Sequence, residues 1–116
     1  MPLSDAGKNV ALDALAGVAQ YVSLHIADPG TTGANEAAGG VPSYARKAIA
    51  WNAASGGNLD DSTTAVFDVP AGTYTHFGLW SALTAGTFYG GGPLAAAETY
   101  AAQGNLTLAD TDVTLS

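Results

Sequence analysis

The chain has 116 residues, of which only 11% are charged, well below the quarter that is usual for soluble domains. Three basic residues face ten acids, so the formal charge of −7 offers no patch for nucleic acid or for an anionic membrane surface. The chain has no cysteine, which excludes a disulfide framework, a zinc–thiolate site and a thiol nucleophile.

The first predicted element is a helix at about residues 4–17. It is followed by a β region at about 20–116, within a single domain that spans residues 1–116. Ser4 and Asp5 are residue types that cap helix N-termini, and Gly17 is expected to end the helix. Its core stripe has apolar residues at spacings of three and four: Ala11, Leu12, Leu15, Val18 and Val22.

After residue 20 the hydrophobic period changes from 3.6 to 2. Val22, Leu24 and Ile26 are expected on the core face of a strand, with His25 on the opposite face. Further strands are predicted at 44–53, 63–70, 73–82, around 88–89 and in the tail 105–116, with 71–78 and 85–92 as neighbours in one meander. Short strands at close spacing predict a mainly β fold, an antiparallel β-sandwich or a jelly-roll-like barrel, with one N-terminal α-helix.

Residues with turn chemistry separate these strands. Asp28-Pro29-Gly30 is expected to end the first strand, and residues 31–40 to form a surface loop. Asn58 to Ser62 reads first as a turn, and Gly90-Gly91-Gly92-Pro93 is expected to end a short run. No apolar run is long enough to span a membrane, so no membrane insertion is predicted.

The polar residues are compatible with several kinds of site, but the sequence pattern supports each of them only weakly. His25 and His76 are expected to meet across the sheet, and a metal site would need Asp28 or Asp68 as a third ligand. A Ser-His-Asp triad is formally available, but nothing marks a nucleophile. Two acidic pairs suit calcium or, less well, a glycosidase: Asp60 with Asp61, and Asp110 with Asp112.

Contacts with other subunits explain the same residues more simply. A chain with few charges and many small residues is expected to hide part of its surface against further copies. Arg46 is expected to form an ion pair at such a contact, with Glu36 as a partner within or between subunits. Charge reversal, Glu36→Arg, should then weaken assembly. The predicted interface residues are His25, Asp28, Glu36, Arg46, Trp51, His76 and Trp80.

Nearly the whole chain, in order, resembles a family of small proteins from phages of actinobacteria, described as tail fibre-like, minor tail or virion proteins. The segments that carry the resemblance are LSDAGKN (3–9), LDAL (12–15), SLH (23–25), ADPGTTGANE (27–36), YAR (44–46), AW (50–51), FDVPAGT (67–73) and THFGLWS (75–81). The resemblance implies an all-β, oligomeric virion component, with a trimer expected. It supplies no catalytic residues and no cofactor.

The predicted function is therefore a non-enzymatic tail fibre or minor tail protein in the virion, assembled in the bacterial cytoplasm. Its partners are further copies of itself and other virion proteins. One alternative is a capsid decoration protein. Another is a carbohydrate-binding module for a host-surface glycan, which would use exposed aromatic residues. A small hydrolase is the remaining class.

Overall fold

The structure is mainly β, with a helix ahead of the strands. The computed structural model describes residues 2–108 and 111–114. In that part of the chain the elements are α1 (Asp5–Val18), β1 (Tyr21–His25), β2 (Lys47–Ala48), β3 (Asn58–Asp60), β4 (Ala65–Val69), β5 (Gly72–Trp80), β6 (Phe88–Tyr100), β7 (Gly104–Leu108) and β8 (Asp112–Thr114). This order confirms the predicted helix followed by a β region.

The helix α1 begins as the sequence predicts and ends slightly later. Ser4 Oγ accepts a hydrogen bond from a backbone N–H of the first turn, which caps the helix. Gly17 does not end it, because the helix continues to Val18. The predicted core stripe is partly wrong: Leu12 is buried, but Val18 and Ala11 are exposed.

Three antiparallel sheets form the β region. The largest has four strands in the order β2-β1-β5-β6, and two ribbons, β3–β8 and β4–β7, complete it. β5 and β6 pair through the turn at residues 81–87, so the predicted meander is confirmed. No sheet closes into a barrel among the described residues, and the arrangement is sandwich-like rather than barrel-like.

The hydrophobic core joins the four-stranded sheet to the β4–β7 ribbon. Leu24 of β1 and Leu79 of β5 belong to one buried cluster with Phe67 of β4 and Leu106 of β7. The alternation predicted for β4 is confirmed, since its odd-numbered residues are buried and Val66 is exposed. Sheet-on-sheet packing of this kind is what period-2 patterns produce.

Strand β1 is buried on both faces, which the alternating pattern did not predict. His25 and Ser23 have no exposed surface, whereas Ile26, expected in the core, is 54% exposed. The alternation rule assumes that one face of an antiparallel sheet meets water. Here the chain after β1 folds back over that face, with Ala34 O 2.7 Å from His25 Nδ1. The expected placements of His25 and Ile26 are therefore wrong.

Three further boundaries differ from the sequence prediction. The strand expected at 44–53 is only two residues long, and the turn expected at Asn58 to Ser62 contains strand β3, which pairs with β8. The glycines at 90–92 lie inside β6 rather than ending it. A Cβ on Gly91 would collide with Phe77 O of the neighbouring strand. Strand pairing has overridden local turn preference in β3 and at the glycines of β6.

Two predicted features fall outside the described residues. Asp110, of the second acidic pair, and Leu115, of the last apolar run, are both in this class. Within residues 2–108 and 111–114, no helix has the length and apolarity that crossing a membrane requires.

Candidate functional site

Glu36 and Arg46 form a two-point ion pair within one chain. Arg46 Nε donates to Glu36 Oε2 and Arg46 Nη2 donates to Glu36 Oε1, both at 3.0 Å. The Arg46 side chain is only 8% exposed and that of Glu36 is 23% exposed. Two parallel N–H···O bonds fix the geometry of both groups. Of the two alternatives that the sequence left open for Glu36, the structure shows the pair within one chain, so the ion pair expected for Arg46 at a subunit contact is formed inside the chain instead.

The remaining donor of Arg46 holds the turn between β5 and β6. Arg46 Nη1 donates to Ala82 O at 3.0 Å and to Ala85 O at 2.8 Å. The guanidinium carbon also lies 3.6 Å from the centre of the Trp80 ring, which is a cation–π contact. Arg46 therefore ties its own loop to the turn at 81–87 and to the end of β5.

Tyr44 connects the same ion pair to strand β1. Its hydroxyl accepts a hydrogen bond from Leu24 N at 3.0 Å and donates one to Glu36 Oε2 at 2.9 Å. Its ring stacks on Phe67 of the core, with centroids 6.0 Å apart. Burial raises the pKa of the Tyr44 hydroxyl, so this group stays protonated and can donate to the carboxylate.

A chain of hydrogen bonds continues from Trp80 to the loop after β1. Trp80 Nε1 donates to Ser23 Oγ at 2.9 Å, and Ser23 Oγ lies 2.7 Å from His25 Nε2. His25 Nδ1 lies 2.7 Å from Ala34 O, and a carbonyl only accepts, so Nδ1 carries the proton. His25 Nε2 therefore accepts from Ser23, and each group in the chain has its partner while His25 is neutral.

The surroundings of His25 favour this neutral form. Burial lowers the pKa of His25, and the positive charge of Arg46 and the neighbouring His76 act in the same direction. The Ala34 carbonyl and the Glu36 carboxylate oppose the shift without reversing it. Protonation would put a hydrogen on His25 Nε2, so Ser23 Oγ would accept from both Trp80 and His25 and the buried Ser23 O–H would lose its acceptor.

The Ser23–His25 pair has the distance of a nucleophile and its base but not the access. Both side chains have no exposed surface, and Ser23 Oγ already accepts from Trp80. His25 Nδ1 is oriented by a backbone carbonyl rather than by a carboxylate, unlike the triad geometry. The Ser23–His25 pair has a structural role, because its hydrogen bonds join the loop after β1 to the four-stranded sheet.

Close packing at two glycines makes this network possible. A Cβ on Gly33, which has φ +78°, would come within 2.5 Å of the Trp80 ring. A Cβ on Gly78 would come within 2.6 Å of Ser23 Oγ and 2.7 Å of His25 Nε2. Any larger residue at either position must displace the hydrogen-bonded side chains.

The two histidines are cross-strand partners, as the sequence predicts, without the further ligands that a metal needs. His25 is paired with His76 in the β1–β5 register. His25 directs its two ring nitrogens to Ser23 and Ala34, and His76 Nδ1 lies 2.7 Å from Thr75 Oγ1. Among the described residues, no three potential ligands of the His, Asp or Glu type are placed to hold an ion.

The acids of the two predicted pairs that the structure describes lie in or beside the β3–β8 ribbon. Asp60 and Asp112 are register partners in the β3–β8 ribbon. Asp61 Oδ1 accepts a hydrogen bond from Thr111 N at 2.9 Å. Asp60 and Asp61 therefore help to hold β3 against β8.

The structure brings together four of the seven predicted interface residues. His25, Glu36, Arg46 and Trp80 share one network, and His25 is buried in it rather than turned to solvent or to a second subunit. His76 lies beside that network, and Asp28 forms the predicted turn, with its Oδ1 accepting from Gly30 N. Trp51 is elsewhere, its Nε1 donating to Ala19 O. Contact of this set with another chain stays a prediction.

Sequence reasoning missed two members of the network. Tyr44 stood in a predicted strand and Ser23 on a predicted outer face, without a role. The signal for Tyr44 was its spacing from Arg46, since residues two apart on an extended segment point to the same side. No local signal marked Ser23, because its partner Trp80 is 57 residues away.

Comparison with known proteins assigns the family. A family model described as podophage GP4 fiber I protein gp80 matches residues 4–116. The chain belongs to this family. The match confirms the resemblance to phage tail fibre-like proteins, although it names a podophage rather than a phage of actinobacteria. No similar curated protein is found. This fibre protein is accordingly a virion component with a structural role, in association with other virion proteins.

Proposed function

We propose that this fibre protein is a non-enzymatic tail component that assembles with further copies of itself, as a trimer, in the host cytoplasm. The observation that carries the proposal is the family match over residues 4–116. The buried network around Arg46 supports this proposal, because the charged and hydroxyl groups of the network form hydrogen bonds that hold a loop in place. A rigid structure of this kind suits a protein whose role is structural rather than catalytic.

The surface supports assembly with other chains. Few residues are charged, and several large apolar side chains are exposed, among them Val10 at 73%, Ile26 at 54% and Leu83 at 49%. Exposed apolar area on a chain with sparse charge favours burial against a partner. Light scattering on the purified chain tests this directly: a trimer is expected, and a stable monomer at micromolar concentration would remove the homo-oligomer.

The position in the virion is tested by counting and imaging. Quantitative mass spectrometry of intact particles should give a small copy number set by the symmetry of the tail. Labelled antibody should appear at the tail in electron micrographs. A copy number near that of the major capsid protein, with label on the head, would instead establish the capsid decoration alternative.

Host-glycan binding is a second candidate function, favoured by one groove. A groove of about 340 Å³ beside β6 is lined by Tyr89, the glycines 90–92, Asp112 and Thr114. Tyr89 is 40% exposed, and an aromatic ring beside carboxylate and hydroxyl groups is a common sugar-binding combination. Binding of the assembled protein on a glycan array, lost in Tyr89→Ala, would support it. An array without binding removes it.

A further inference from the structure

The helix α1 turns its polar side toward the rest of the protein. Asn9 Oδ1 accepts a hydrogen bond from Gly57 N at 2.9 Å, and Asp13 Oδ1 accepts one from Ala54 N at 2.8 Å. Leu12, on the same side, is 1% exposed. These contacts with the loop before β3 fix the rotation of the helix about its own axis.

The opposite side of α1 carries no polar side chain. With 3.6 residues per turn, the residues that share this side form an unbroken arc. Val10 is 73% exposed and Val18 is 45% exposed, and Leu3 just before the helix is 42% exposed. We define the outer face of α1 as Ala6, Val10, Ala11, Ala14, Gly17 and Val18, all of them exposed.

This arrangement differs from the usual amphipathic helix: Leu12 and Leu15 still face the protein, but the outer side carries aliphatic residues in place of charges. A surface helix normally turns an apolar stripe to the core and charged residues to water. Here hydrogen-bonding residues are used against the protein, while aliphatic residues meet solvent along the length of the helix. A contiguous apolar surface of this kind is typical of a contact with another protein.

Given the proposed homo-oligomer, the charge distribution favours this face for the contact between copies. The chain has a formal charge of −7, so contacts between two copies that include charged residues would mostly bring like charges together. The outer face is uncharged, and two copies can meet there without that repulsion. Its aliphatic residues and glycine also leave room for close approach of two helices.

The spacing of the apolar positions fits the same partner. Leu3, Val10 and Gly17 are seven residues apart, and Ala14 follows Val10 by four. Alternating spacings of three and four place these residues along one seam when like helices pack side by side. In a symmetric assembly, Val10 of one copy would then lie against Val10 of the next.

We infer that the outer face of α1 packs against the outer faces of α1 in other copies, around a shared rotation axis. This inference rests on the proposed homo-oligomer and names the surface that forms it. A helix of 14 residues is about 21 Å long, so the seam would be short and aided by neighbouring surface.

A charge placed in the seam tests the inference. Val10→Asp should weaken association by about 100-fold or more, because a carboxylate would be buried without a partner. Val41→Asp is the matched control, since it adds the same charge at a side chain that is 88% exposed in a loop. Sedimentation velocity gives the masses, and far-ultraviolet circular dichroism shows that each variant is folded.

Cysteine cross-linking gives an independent measurement. The chain has no cysteine, so Val10→Cys introduces one thiol per copy. In a trimer one thiol per copy can join only two of the three chains, so mild oxidation should convert up to about two thirds of this variant to covalent dimer, while Val41→Cys stays largely uncross-linked. Support requires both results: a folded, dissociated Val10→Asp variant and a cross-linked Val10→Cys variant.

The outcomes separate this inference from the function on which it rests. A wild-type chain that is monomeric at high concentration overturns the homo-oligomer, and the seam with it. A wild-type oligomer that survives Val10→Asp, or whose Val10→Cys variant does not cross-link, overturns the seam alone. Dissociation by Val41→Asp would also overturn it, because the contact would then lie at the loop.

Discussion

Glu36 and Arg46, ten residues apart in the chain, are joined by two hydrogen bonds of 3.0 Å while Arg46 is almost completely buried. Arg46 is at the same time bound to Ala82 O and Ala85 O and lies over the Trp80 ring. A single ion pair thus fixes the position of three segments: the loop after β1, the end of β5 and the turn before β6.

Loss of the ion pair should lower the stability of the folded chain, whether or not the chain is assembled. Glu36→Ala leaves the buried Arg46 guanidinium without its carboxylate, and removing one partner of a buried pair costs about 3 kcal/mol. Urea unfolding would measure this loss. Glu98→Ala, at an exposed position in β6, is the control and should change stability by less than about 0.5 kcal/mol. Equal midpoints for the two variants would contradict the structural role of the pair.

The same geometry changes what Glu36→Arg can report. The variant places two guanidinium groups together inside one chain, so weakened assembly would follow from a damaged fold. A loss of oligomer in this variant therefore carries information on an interface only when the folded fraction is shown to be unchanged.

Removing the Tyr44 hydroxyl should lower the free energy of unfolding by about 1–2 kcal/mol. Tyr44→Phe keeps the ring on Phe67 but leaves Leu24 N and Glu36 without the hydroxyl partner they now have. Tyr89→Phe, at a side chain that is 40% exposed, removes the same atom without burying anything and should be neutral. Thermal unfolding of both variants decides the matter. Full stability of Tyr44→Phe would mean that water replaces its hydroxyl.

Acid should weaken the fold through His25. Burial lowers the pKa of His25 in the folded chain from the ordinary value of 6.5. Just below pH 6.5 the unfolded chain therefore binds a proton at His25 that the folded chain does not bind. Stability is then complete above about pH 6.5 and falls as pH drops below it, at no more than about 1.4 kcal/mol per pH unit. Glu36, Arg46 and His76 are the charged and titratable groups near the ring.

Two variants isolate this dependence. His25→Gln cannot take up the proton and should unfold with a shallower pH profile between about pH 5 and 7. His76→Gln keeps His25 and its hydrogen bonds, and should change the profile much less than His25→Gln does, because burial is the larger cause of the lowered His25 pKa. Parallel profiles for wild type and His25→Gln would show that another group causes the acid sensitivity.

Gly78→Ala should destabilise the protein by about 1–3 kcal/mol, because the added methyl group overlaps Ser23 Oγ and His25 Nε2. Gly17→Ala is the opposite case within a single chain: nothing lies within 4 Å of the added atom, so at a protein concentration where the chain is monomeric it should stabilise by about 0.5–1 kcal/mol. Chemical denaturation of the two variants at one protein concentration gives both values. A stable Gly78→Ala would show that the network can shift to admit a methyl group.

The sequence by itself determined the elements whose signals are local. Ser4 as a cap, the alternation in β4 and the hairpin of β5 and β6 all depend on neighbouring residues, and all three are found in the structure. Phage fibre membership was also readable from the chain, because matching segments follow one another in order along nearly its whole length.

Only the tertiary structure decided what the loop after β1 does. Period-2 alternation could not reveal that residues 26–46 cover the outer face of β1, so His25 was expected outside and is inside. The residues of β3 have turn chemistry, yet β8, distant in sequence, pairs with them, and the glycines of β6 stay within a strand because β5 pairs with them. The physical reason is the same in each case: burial and hydrogen bonding supplied from outside the segment outweigh local preferences of a few tenths of a kcal/mol.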